Sequence, residues 1–367
     1  MLTRASLLIL TLTGVVALFA CGGSKHQTAY VTTPLNNGVT AFRLNSNTGN
    51  LNQILGSPYP TGISPSAIRV HPSGKFVYVA NAGEDSISLY KVGSDGALAE
   101  VTPRTATGKQ PAELLMDPAG SFLFAVNSAD STITSYSIDA GSGALQKTAN
   151  SPYTTSGFTP LKGAITSSGK FLFVANSNSS SISGFVTDSS GGLMPVPHSP
   201  ITVGNEPNWI AIDPSGKFLY VANLQDGTFS GFSIDGNTGE LSGMSGSPFG
   251  VANTSTATVP ISAVAVDASG KYLYVTSLGS GNNVYGYAID SNSGVPTTSI
   301  SGSPFAAGSA AAFIVSDTTG SLLFVGNQTS NTVSGFKITA SSGVLTLVST
   351  TSTASAPTSM VVVKEGK

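Results

Sequence analysis

Glu113, Lys162 and Trp209 are three side chains of unlike chemistry, standing 49 and 47 residues apart in the chain. A carboxylate can serve as a general base, an ammonium can hold an anion, and an indole can lie flat against a ligand ring. Lys109, Asp130, Glu206 and Asn208 sit close to them in sequence and could orient a polar ligand, and Arg69 adds another cation. The bland alternative is a rim decorated by one ion pair and a packing tryptophan. No other reactive pattern competes: the chain has no G-x-S-x-G elbow, no G-x-x-x-x-G-K-[ST] loop and no H-E-x-x-H.

The scarce chemistry is itself informative. With 3 His and 1 Cys, an internal disulfide and a Cys-based zinc cluster are excluded, and neither a metal nor a cofactor is expected. His71 fills a slot that Asp213 fills elsewhere, which makes it a turn residue, and His198 precedes a Ser-Pro pair on the surface. Asp235-Gly-Asn237-Thr-Gly239 and Asp290-Ser-Asn292-Ser-Gly294 look faintly like calcium loops, but they lack a later bidentate acid and read as turns. Charged residues are only 9% of the 367, and the net charge of −2 gives no footprint for nucleic acid. Hydrophobic residues at 40% exclude a disordered chain.

What positions these groups is a repeat. A Pro-x-x-apolar phrase leading into Asp-Pro-Ser-Gly-Lys-Phe-Leu-Tyr-Val-Ala-Asn recurs, with its Gly at 74, 120, 169, 216, 270, 320 and 366, a period of about 49. Within each copy the apolar period is two, so the elements are strands. In one copy they span residues 67–71 and 76–80, with a turn at 72–74 between them. Third strands carry Phe42, Tyr90, Tyr136, Phe185, Phe232, Tyr287 and Phe336, and fourth strands start at Leu51, Leu98, Leu145, Leu193, Leu241, Val295 and Leu345. The fold class is all-β: a seven-bladed β-propeller with four antiparallel strands per blade. The N-terminal copy lacks a first strand and the C-terminus supplies a lone one at 359–363, so these pieces complete one blade and close the ring. Asn81, Asn127, Asn176, Asn223 and Asn327 end second strands as hairpin hydrogen-bonders. Lys170, Lys217 and Lys271 are expected across the ladder from Asp188, Asp235 and Asp290.

On this frame, function belongs to the face carrying the fourth-to-first and second-to-third loops, where the copies differ. Two residues after the repeat Pro they read Ala67, Glu113, Lys162, Trp209, Ala263, Phe313 and Ser359. Glu113, Lys162 and Trp209 therefore come from consecutive blades and are expected to line one side of the channel mouth, with Lys109, Asp130, Glu206 and Asn208 nearby. Arg69 stands in a column that is otherwise apolar.

The N-terminus reads as an export signal over 1–20: Arg4 and then an apolar run ending Leu18-Phe19-Ala20-Cys21. That ending resembles the lipobox of bacterial lipoproteins, which implies cleavage before Cys21, lipidation of its thiol and a tether over 21–28, with the propeller from 29 to 367. The expected location is the bacterial cell envelope. Expected partners are the membrane, through the lipid, and a protein, glycan or small polar ligand at the channel mouth; the chain is expected to be a monomer.

The repeated phrase, with Asp-x-x-Thr-Gly-x-Leu at residues 235–241, resembles the lactonase-like seven-bladed propeller family, which includes proteins of the 6-phosphogluconolactonase type. The resemblance spans 29–367 and implies the propeller fold. In the family's enzymes it also implies a His two residues after the repeat Pro and a Glu directly after the strand-two Asn. Here the first slot has no His, and the second holds Ala82, Ser128, Ser177, Leu224 and Gln328, so no catalytic residue carries over. Two readings follow. The first is a membrane-anchored binding or scaffold module. The other is a lactone hydrolase with Glu113 as general base and Lys162 or Arg69 holding the substrate's anion.

Overall fold

The computed structural model describes residues 27–251, 259–278 and 282–364. The expected export signal, Cys21 and the expected tether up to residue 26 lie outside the described residues. The strands form seven antiparallel sheets, and the sheets are the seven blades. Blade I combines the C-terminal Ser359–Lys364 with Gln27–Thr33, Gly38–Leu44 and Leu51–Gln53. The first strands of blades II to VII are Pro65–Val70, Pro111–Met116, Pro160–Ile165, Pro207–Ile212, Ile261–Val266 and Ala311–Ser316. Ring closure is therefore as the half-blades require, with Thr32 opposite Ser359 and Gln27 opposite Lys364. Gln27 and Thr28, ahead of the expected start at 29, already belong to a strand, and the first strands of blades II to V begin at the Pro itself. Gln27 is a clasp: its side chain donates to Asp317 Oδ2 and accepts from Thr318 in blade VII.

The alternating pattern buries apolar side chains between blades. Tyr78 and Phe76 of blade II, for example, pack with Leu114, Leu123 and Tyr136 of blade III. Burying each such aromatic contributes about 2–3 kcal/mol. The aromatic column also stitches the seams. Tyr30, Tyr78, Tyr220 and Tyr274 donate their hydroxyls to the carbonyls of Gly96, Gly143, Gly294 and Gly343 in the next blade. Where the column holds Phe124 or Phe324, Ser135 or Ser349 makes the same bond, to Gly191 or Gly49. The acceptor loop needs glycine: Gly143 has φ +76, and a Cβ there would lie 2.6 Å from the Phe76 ring.

The asparagine column does what its spacing suggests. In five blades Nδ2 donates to two third-strand hydroxyls, five and seven residues on, as Asn176 does to Ser181 and Ser183. His71 is a turn residue: its Nδ1 accepts the Ser73 N–H, so Nε2 carries the proton given to the Gly120 carbonyl of the next blade. His198 is exposed and meets Glu240 at 2.7 Å. Asp235 and Asp290 cap their own turns, accepting the N–H groups two and three residues ahead.

The expected ladder ion pairs do not form. Lys170 instead reaches the carbonyls of Gly236 and Asn237 in the next blade and lies over the Phe171 ring, while Asp188 binds the amides of Ser190 and Gly192. A short carboxylate satisfied within its own turn has little reason to reach across a ladder for a solvated ammonium.

Candidate functional site

A bulge decides the channel's upper layers. In blade II, Pro65 pairs with Asn81 and Ala67 with Ala80, which leaves Ser66 as an extra residue, and the same shift recurs in blades III to VII. The bulge turns the residue after the Pro into the channel. All seven such residues line a cavity of about 590 Å³ on the loop face: Ser66, Ala112, Leu161, Asn208, Ser262, Ala312 and Thr358. Four of them also stitch blades, since Ser66, Asn208, Ser262 and Thr358 each donate to a carbonyl of the next blade: Pro111, Ser262, Ala311 and Pro65. Of this layer the sequence singles out only Asn208, although the recurrence of small polar residues in that column signals the rest. Gln110, Ser128 and Gln328 complete the upper wall.

The Glu113 row lies one layer deeper. Lys162 and Trp209 form the floor of the loop-face cavity and border a second cavity of about 520 Å³ beneath it. Trp209 spans the channel, packing against three separate core clusters. Lys162 Nζ stands 5.3 Å from the indole centroid and donates to the Ala112 carbonyl at 3.3 Å. Glu113 and Arg69 border only the lower cavity. The expectation that Glu113 lines the loop-face mouth is thus corrected: the bulge inserts a residue above it, and two cations hold it below. Its Oε1 lies 2.8 Å from Arg69 Nη2, its Oε2 lies 2.9 Å from Lys162 Nζ, and Oε1 also accepts the Leu114 N–H.

Arg69, Glu113, Lys162 and Trp209 are therefore brought together, and Asn208 joins the upper cavity with its Oδ1 buried and unpartnered. Lys109, Asp130 and Glu206 are exposed on the rim and line neither cavity. Asp130 has a structural task. It accepts the Lys109 N–H, as Glu84, Ser179 and Asp226 accept the matching amides of Ile63, Phe158 and Asn205. Among the described residues, no group of three or more His, Cys, Asp or Glu side chains could hold a metal.

Chemically, the upper cavity offers hydroxyls, amides, an indole and one ammonium, with no carboxylate or imidazole among its lining residues. The ammonium is ion-paired from below, which fixes its position. Such a floor can grip a polyhydroxylated ring and polarise a carbonyl.

Known proteins match this architecture. Over an 83-residue stretch the chain is 39% identical to the 6-phosphogluconolactonase of Bacillus subtilis, covering 21% of this chain and 24% of that protein. A candidate 6-phosphogluconolactonase from Bacteroides fragilis superposes with a TM-score of 0.79 at 21% identity, over 93% of this chain and 98% of the other. The periplasmic gluconolactonase of Pseudomonas aeruginosa gives 0.77 at 17% identity, over 92% and 99%. The model of the Lactonase, 7-bladed beta-propeller family matches residues 20–159, 162–252 and 249–363, and the chain belongs to that family.

Proposed function

We propose that this chain binds a neutral sugar lactone in its loop-face cavity and opens it by hydrolysis. The observation that carries the reading is Lys162, an ammonium fixed on the cavity floor beside the indole of Trp209. The sugar ring lies on the indole, with the hydroxyls and amides of Ser66, Asn208 and Ser262 around it. Water adds to the lactone carbonyl, Lys162 stabilises the oxyanion, and the ring C–O bond breaks as the ring oxygen takes a proton from solvent. With no carboxylate or imidazole lining the cavity, the water's proton leaves to solvent. Family membership and the named activities of the Bacillus and Pseudomonas relatives support this chemistry. The lone cation favours an unphosphorylated substrate, because a phosphate dianion calls for several charge-assisted donors.

The test is proton release from glucono-lactone, corrected for spontaneous hydrolysis. Turnover by the purified chain is expected to fall about 100-fold in Lys162→Met. Turnover that survives this change would overturn the role of Lys162. Saturable binding without turnover would favour a binding module, the second reading, for which the absence of a general base in the cavity speaks. We propose further that residues 1–20 export the chain and that lipidated Cys21 anchors it in the envelope. Cys21→Ala should then release the protein from membranes, and a variant still labelled by a palmitate analogue would defeat that proposal.

A further inference from the structure

We infer that the lower cavity is a second binding site, made for a small monocarboxylate with a straight apolar tail. It lies on the far side of Trp209 from the lactone cavity and opens at the opposite face, between Pro72, Asp117 and Pro118 of the first-to-second-strand turns. Its ceiling carries two cations, Arg69 and Lys162, and one carboxylate, Glu113. One positive charge is thus left over at the inner end of the shaft. An unbalanced charge in apolar surroundings is unfavourable, and a bound monoanion relieves it.

The donors for such an anion are present. A guanidinium has five N–H groups. Arg69 gives Nη1–H to the Ile68 carbonyl and Nη2–H to Glu113, and its remaining donors have no protein partner among the described residues. Lys162 lies above, bound to Glu113 and the Ala112 carbonyl, so Arg69 is the group that meets the ligand.

The middle of the shaft suits an apolar tail. Leu115, Ala164, Ala211, Ala265, Val315 and Val361 share the row of Arg69 and border the cavity. Asp117 at the rim stands four positions past Glu113, a depth of about 13 Å at roughly 3.3 Å per residue. That holds a carboxylate and a chain of several methylenes. Low-dielectric walls around the net positive inner end also focus its field on an entering anion. The acid at the entrance, Asp117, is engaged within its own turn, where it accepts the N–H groups of Ala119 and Phe122.

Hexanoate is the probe. Its binding to the purified chain is read by the fluorescence of Trp209, the single tryptophan, and by titration calorimetry. Saturable binding is expected, about ten-fold or more weaker in Arg69→Met, which removes the charge-assisted hydrogen bonds. Ala211→Phe, which fills the shaft without touching the loop-face cavity, should weaken it similarly. Hexanol, with the tail but no charge, and acetate, with the charge but no tail, should each bind about ten-fold or more weaker than hexanoate. If Arg69→Met does not fold, by circular dichroism, Ala211→Phe and the two analogues decide. Equal binding of hexanoate and acetate, unchanged affinity in Ala211→Phe, or no saturation at all would each overturn the inference.

Discussion

Replacing Glu113 by Gln would leave Arg69 and Lys162 facing each other across a neutral amide. The native contacts of 2.8 and 2.9 Å place the two nitrogens at most about 8 Å apart, where unit charges at an effective dielectric of about 20 repel by roughly 2 kcal/mol. Breaking a fully buried ion pair costs about 3–5 kcal/mol. The Arg69 and Lys162 side chains keep 29% and 15% of their surface, so channel water softens the loss. A cost of about 2–3 kcal/mol is expected, a fall of a few degrees in Tm. The stronger test is a sign. In the native background Arg69→Met should destabilise, because it removes a partner of Glu113. In the Glu113→Gln background the same change removes one of two repelling cations, so the double variant should melt above Glu113→Gln alone. Urea unfolding of the four proteins completes the cycle. A double variant weaker than Glu113→Gln by the full Arg69→Met increment would refute the shared field, and with it the charge excess in the shaft.

Three further outcomes are expected. Deleting residues 359–367 strips Gln27–Thr33 of its inner partner and exposes a strand edge, so size-exclusion chromatography should show aggregation, and a soluble monomer with native melting would contradict ring closure. Blade IV has Phe173 where blades I, II, V and VI have the stitching tyrosine, and among the described residues no side chain reaches the Gly239 carbonyl; Phe173→Tyr should gain about 1 kcal/mol, and a lowered Tm would show that the seam has no room. Burial pushes the Asp317 carboxyl up, but hydrogen bonds from Thr319, Gln27 and the Leu322 N–H outweigh it and hold the group below its ordinary value. Its contribution is therefore present above the unfolded carboxylate value of about 4 and is lost as pH falls through the lower folded value, so the stability gap to Asp317→Asn should shrink between about pH 7 and pH 3, and a constant gap would count against it.

Blade number, strand order and ring closure are legible in the chain because most residues of the repeat do the same work in most copies. Asn81 and Asn327 stand 246 residues apart and bind hydroxyls at the same offsets, so comparing copies averages away local noise. The misreadings fall where this averaging misleads or stops. Strict alternation puts Glu113 at the top of the channel, but the bulge after each Pro adds a residue that no apolar period records, and the row drops one layer. Spacing puts Lys170 opposite Asp188, yet it says nothing of the backbone amides that already satisfy that carboxylate. Glu113 is harder still, because it occurs once. Its row and blade follow from its number, but what it faces is set by Arg69 one blade back and Lys162 one blade on, in two different columns. A residue that differs from its copies has no copies to be compared with. In a propeller those are the residues that meet ligands, so ring geometry is readable from repetition while the chemistry at the centre depends on contacts that only the closed ring creates.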